Sequence, residues 1–300
     1  MFSFAHWGQV TPFALAKGDE FREQLAPTPA RYGTPEYEAQ ACELIDLSAN
    51  LTDRQKMIAE FWSENPDRTN RTSGVPDANS AALSESPIEH WLRFAAFVSG
   101  RDHHSLDDDV KMYFALSNAM FDASIAAYDA KRAFDAVRPI TAIAFLFHGQ
   151  RIRGWGGPGK GTAEMDGSDW RPYQRATSPT PPSPEYVSAI SAESAAAAEV
   201  LRLWSGSDQF GYSVTLPKGS SRIEPGATPA QVVTLRWRTF SEAADEAGMA
   251  GRYAGTQFAA GDLAGRKLGR LVADKVWAKA QGYFEGTAVP GQAETKTNSR

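Results

Sequence analysis

Cysteine is almost absent. The 300 residues hold one, Cys42, which excludes an internal disulfide and a thiolate metal cage. Histidine is scarce too: His6, His90, His103, His104 and His148 are the whole supply. No run of about twenty apolar residues occurs, so no helix is expected to span a membrane. Basic charge is not in excess either. With 31 Lys and Arg against 36 Asp and Glu, the net charge is −5, which argues against nucleic acid as the main partner, because phosphate backbones need a clustered basic face. The first residues, Met1 to Trp7, lack the basic start and apolar core of a signal peptide, so the expected compartment is the cytoplasm. What is present, 42% hydrophobic and 22% charged residues, suits a folded chain with one large core or two small ones.

Helix signals follow one another after an arm-like stretch of about thirty residues with scattered Pro and Gly. Thr34-Pro35 places a capping residue before a proline at the first helical position, predicting a helix over 36–47. Thr52 with Gln55 and Ser86 with Glu89 read as capping boxes, the first for 53–63, the second for a helix stopping near Gly100. Ser105-Leu106-Asp107-Asp108 opens a long helix whose acidic first turn suits the helix dipole. Val110, Phe114, Phe121 and Ile125 predict its apolar stripe, and Pro139 begins a short helix ending by Gly149. Residues 150–183, rich in Gly, Pro and Trp, show neither helical nor strand period and read as a long loop. A helix over 188–205 follows, then strand-like pieces at 212–216 and 231–235, a candidate hairpin flap. Helices at 239–249 and 262–280 complete an all-α expectation: an arm over 1–33, one helical-bundle domain over 34–286 and a disordered tail over 287–300.

Three places carry candidate chemistry. Lys131 and Arg138, seven residues apart, would share one helix face and converge on an anion; they would equally satisfy the last carbonyls of a helix. Ser188 follows a proline-rich run, Pro181 to Pro184, and is a natural N-cap whose hydroxyl and neighbouring amides could receive an oxyanion; an ordinary capped core helix has the same signature. The stretch Ala247-Gly248-Met249 to Phe258 contains Gly255 and Gly261 just beyond, positions suggesting close backbone approach.

In this order, Lys131, Arg138-Pro139, Pro184-Glu185-Tyr186-Val187-Ser188 and Ala247-Gly248-Met249 up to Phe258 resemble the vanadium-dependent haloperoxidases and their relatives, the type 2 phosphatidic acid phosphatases. The resemblance to the bacterial haloperoxidase-like branch runs from about His6 to Ala280, and Gly156-Gly157-Pro158-Gly159 and Trp170-Arg171-Pro172-Tyr173 belong to it. The resemblance implies a helical bundle cradling vanadate or phosphate. Lys131, Arg138, Ser188 and adjacent amides such as that of Ala189 match the oxyanion ligands, with Trp170 and Tyr186 as candidate substrate walls. Where the family has glycine and histidine after the serine, this chain has Ala189 and Ile190. Where the family has serine, arginine and, six positions later, the histidine that bonds vanadium or attacks phosphorus, it has Ala250, Gly251 and Gln257. Larger members carry further helices before the point where this chain begins, which leaves a partner surface, a homodimer included, open.

Ser188, Ile190 and Gln257 thus mark the catalytic positions, and two of the three have lost the family's chemistry. Three functions follow. One is a vanadium-independent enzyme with no required cofactor that holds a phosphorylated or apolar substrate, a cyclase or lyase acting on an isoprenoid diphosphate; Asp102, Asp107, Asp108 and Asp109 would supply magnesium ligands, unless they are a solvated helix start. The second is a catalytically silent homologue used for binding or assembly. The third is residual haloperoxidase activity.

Overall fold

A computed structural model describes residues 3–63, 83, 85–175, 177, 180 and 182–288. Its helices are α1 (Pro35–Ala49), α2 (Asp53–Phe61), α3 (Pro87–Asp102), α4 (Leu106–Phe134), α5 (Pro139–Leu146), α6 (Ala189–Ser205), α7 (Phe240–Ala254) and α8 (Ala259–Phe284). Two short antiparallel pairs accompany them: β1 (Arg151–Trp155) with β2 (Thr162–Asp166), and β3 (Gln209–Leu216) with β4 (Val233–Thr239).

The organising element is α6, whose sequence is poor in large side chains. Ala192 and Ala195 to Ala198 are buried along it, and α8, α4 and α7 pack around it. Small residues on the facing helix let the backbones close. A Cβ on Gly265 would lie 2.6 Å from the Ser188 carbonyl oxygen, and one on Gly269 would lie 2.1 Å from that of Ala192. No side chain fits at such distances, so these glycines set the α6–α8 spacing.

Capping follows the sequence closely. Thr52 with Gln55, Ser86 with Glu89 and Ser105 with Asp108 all close as capping boxes, and Thr34 caps α1 ahead of Pro35. Three expectations change. In α4 the buried face is Met112, Ala115, Leu116, Ala119, Met120, Ala123 and Ile125; of the expected stripe Ile125 is buried and Phe121 half-buried, while Val110 and Phe114 are exposed by 61% and 37%. Alanine allows close helix contact here, so side-chain size misled the pattern. Within the stretch expected as a loop over 150–183, residues 151–166 fold into the β1–β2 hairpin, turned by Gly157 and Gly159 at positive φ, while the described residues beyond Asp169 form no strand or helix. Its strands are short and largely solvent-facing, which hides their period. The β3–β4 pair exists, but β3 begins three residues before the expected start at 212 and β4 is displaced along the chain, starting at 233 and ending at 239 instead of 231 and 235.

The first thirty residues are strapped to the bundle by specific bonds. Buried Asp122 of α4 accepts from the amides of Phe13, Ala14 and Leu15 at 2.6, 2.7 and 3.1 Å. Arg22 grips Asp129 with two 2.8 Å bonds, and Trp7 Nε1 donates to Ser124 Oγ. A second buried carboxylate, Glu60 of α2, accepts from Tyr173 Oη, Ser221 Oγ and Arg222 N, tying the connection between β3 and β4 to the bundle. Most of the expected tail, from residue 289, lies outside the described residues; the amides of Thr287 and Ala288 bond to the Gly282 carbonyl. No helix of the described residues is long and apolar enough to cross a membrane.

Candidate functional site

Lys131 and Arg138 do not share a helix. Asp135 adopts a left-handed conformation (φ 43°) and ends α4, and Arg138 is the extended N-cap of α5 (φ −77°, ψ 150°), as a residue before proline should be. Both nevertheless reach the same stretch of chain, the proline-rich segment before α6. Lys131 Nζ donates to the carbonyls of Pro184 and Glu185 at 2.7 and 3.0 Å. Arg138 Nη1 donates to the Thr180 carbonyl at 3.3 Å. Pro181 of this run lies outside the described residues.

The segment is also held from its other sides. The Glu185 amide donates to the Ala136 carbonyl and the Ser188 amide to that of Gly261, each at 3.0 Å. Ser188 caps α6 as expected, its hydroxyl accepting from the Ser191 amide at 3.1 Å. The amides of Ala189 and Ile190 donate to no described residue. They are the part of the expected oxyanion receptor that stays available, beside the half-buried Ile190 side chain.

At the centre sits a residue the sequence reading passed over. Glu185 is 4% exposed. Gln257 Nε2 donates to its carbonyl oxygen at 2.9 Å and also to its carboxylate Oε1, and the Phe258 amide donates to Oε1 at 2.9 Å. Burial pushes the Glu185 carboxyl up to about 7, with the Lys131 charge and these bonds pulling the other way. Gly261 is glycine because a Cβ there would lie 2.2 Å from Glu185 Oε1 and 2.3 Å from Gln257 Nε2. The clue was a single acidic residue inside a proline-rich run, where a solvated side chain is the ordinary interpretation.

The remaining candidates make contacts of their own. Tyr186 is fully buried, its hydroxyl donating to the Pro27 carbonyl and its ring edge-on to Phe134 at 4.8 Å; burial and Glu185 push its phenol up to about 12. Trp170, also fully buried, packs where Gly154 and Gly255 leave room for its ring. Arg252, one position beyond Gly251, bonds Glu43 and lies 3.9 Å from Asp262, a buried carboxylate that also binds Ser191 and Arg266. The proposed magnesium ligands have other partners: Asp107 with Lys111, Asp108 with Ser105, Asp109 with His104 and Asp102 with Arg101. Among the described residues, no three His, Cys, Asp or Glu side chains gather as a metal centre would.

The family model of the VCPO second helical-bundle domain matches residues 111–286. The chain belongs to this family. The match runs from α4 through α8 and takes in all three motifs. Solved relatives in the vanadium haloperoxidase superfamily share the fold. A holo-type bacterial vanadium-dependent chloroperoxidase is 24% identical with a TM-score of 0.78, covering 95% of this chain. The apo-type structure of such an enzyme gives 25%, 0.79 and 93%, and a bacterial vanadium-dependent iodoperoxidase gives 24%, 0.67 and 93%. This chain spans only 56–58% of the length of those proteins. No curated protein matches it.

Proposed function

We propose that this chain performs neither halide oxidation nor phosphoryl transfer and serves its family's fold as a binding protein. The observation that carries the reading is the buried cluster of Lys131, Glu185 and Gln257. Lys131, the cation that the resemblance assigns to an oxyanion, is committed to two carbonyls of its own chain and faces a carboxylate of its own chain. The diphosphate cyclase or lyase expectation needs that ammonium available to a phosphate oxygen, and the cluster argues against it.

The residues present do not fit vanadate, the group on which the solved relatives depend. Gln257 stands where the family has its metal-bonding histidine, and its amide nitrogen is a donor bound to Glu185, with no lone pair to offer. Gly251 stands in place of the arginine, and a Cβ there would lie 3.0 Å from Gln257 Cβ. Ile190 can neither give nor take a proton. A hydrogen bond to a charged group contributes about 1.5–3 kcal/mol, so losing the arginine and the histidine together weakens vanadate binding by at least about a hundredfold.

Calorimetric titration with orthovanadate tests this. The wild type should give no saturable heat, and the triple variant Ile190→His, Gly251→Arg, Gln257→His should gain it, because these groups act as a unit. Saturable binding of vanadate by the wild type would overturn the reading.

A further inference from the structure

A cavity of about 320 Å³ opens between the N-terminal arm, α1, the α4–α5 connection and the segment that carries Glu185. Its walls are aromatic, from Tyr37, Phe134 and Phe258. Glu185, nearly fully buried, is its deep polar group, while Arg31 and the half-buried Gln40 stand at the solvent side. Apolar surface continues outside it: Tyr32 and Phe145 are exposed by 67% and 66% and pack ring to ring at 5.7 Å. An apolar hollow with a few placed polar groups is the usual form of a small-molecule site.

The polarity of the cavity runs in one direction. Gln257 and Phe258 both donate to Glu185 Oε1, and Oε2 receives neither bond. Above about pH 7 the Glu185 carboxylate is ionised and only accepts hydrogen bonds, so the deep end there calls for a donor. Lys131 already supplies a cation to Glu185, and a second cation there would be repelled; the donor is therefore neutral. At the mouth, Arg31 has no ion-pair partner among the described residues. Its guanidinium only donates and matches a carboxylate. We infer that the cavity binds a small aromatic carboxylate whose ring lies among Tyr37, Phe134 and Phe258, with a neutral hydroxyl or amino donor directed to Glu185 and the carboxylate directed to Arg31. At roughly 30 Å³ per water the space equals about ten waters, enough for one substituted ring. The inference rests on the preceding reading, in which Glu185 stays fixed between Lys131 and Gln257.

The test titrates the full chain at pH 8 with para-hydroxyphenylacetate, phenylacetate and tyramine. The first should bind saturably. Phenylacetate, which lacks the donor, and tyramine, which replaces the carboxylate with an ammonium, should each bind about tenfold more weakly or worse. Arg31→Ala should lower affinity for para-hydroxyphenylacetate about tenfold, erase its advantage over tyramine and leave Tm unchanged, since Arg31 is exposed. No saturable binding, equal affinities for the three compounds, or an Arg31→Ala variant that binds like wild type would overturn the inference. If the titration fails while vanadate also fails to bind, the cavity inference alone falls. Saturable vanadate binding would instead remove the functional reading beneath it.

Discussion

Replacing Glu185 by glutamine should change how the protein's stability depends on pH. The side chain is 4% exposed and its folded-state pKa lies near 7, against 4.5 for an ordinary glutamate, because burial disfavours the charged form more than Lys131 favours it. Below pH 4.5 the carboxyl is protonated in both the folded and unfolded chain and contributes nothing. Between 4.5 and about 7 the unfolded chain releases its proton first, so the folded state binds more protons and stability falls as pH rises. At about 1.4 kcal/mol per unit, the group costs about 3 kcal/mol by pH 8. Glu185→Gln keeps an acceptor for the Phe258 amide and has no charge to desolvate. Urea denaturation of both proteins at pH 5 and pH 8 gives the test. The stability of the variant relative to wild type should shift in its favour by about 2.5 kcal/mol between the two conditions, part of the cost being present already at pH 5, and the double difference cancels titrating groups away from the site. Parallel pH profiles would refute the reasoning. A shift in the opposite direction would mean that Lys131 dominates and holds the carboxyl below its ordinary value.

Asp122→Ala removes three amide hydrogen bonds to a buried charge and should cost about 3 kcal/mol or more; limited proteolysis should then cut within residues 5–25 while α4 stays protected. Gly269→Val should disrupt the α6–α8 crossing, because even a Cβ meets the Ala192 carbonyl at 2.1 Å; a loss of about 3 kcal/mol or failure to fold is expected in chemical denaturation.

Much of this architecture is legible in the residues. Thr34, Thr52, Ser86, Ser105 and Ser188 each start a helix where a capping signal stands, because capping is a local bond between neighbours in sequence. The β1–β2 hairpin was not legible, since its short strands lie mostly on the surface and leave no alternating apolar mark. The face of α4 was legible only at its Ile125 end, because the rest of the packing surface is mostly alanine and methionine while larger Val110 and Phe114 look outward. The site divides in the same way. The motif order placed Lys131, Arg138, Ser188 and Gln257 around one segment of chain. It did not reveal that Glu185 lies among them, because a carboxylate's burial depends on Gly261, Gln257 and Lys131, brought to it from other helices.

The proposal that this chain does not carry out vanadium-dependent oxidation is tested most directly by halide turnover. Purified protein, loaded with excess orthovanadate and supplied with hydrogen peroxide and bromide, should brominate monochlorodimedone no faster than the same mixture without protein. Turnover that rises in proportion to both protein and vanadate would contradict the account and restore the chemistry of the solved relatives.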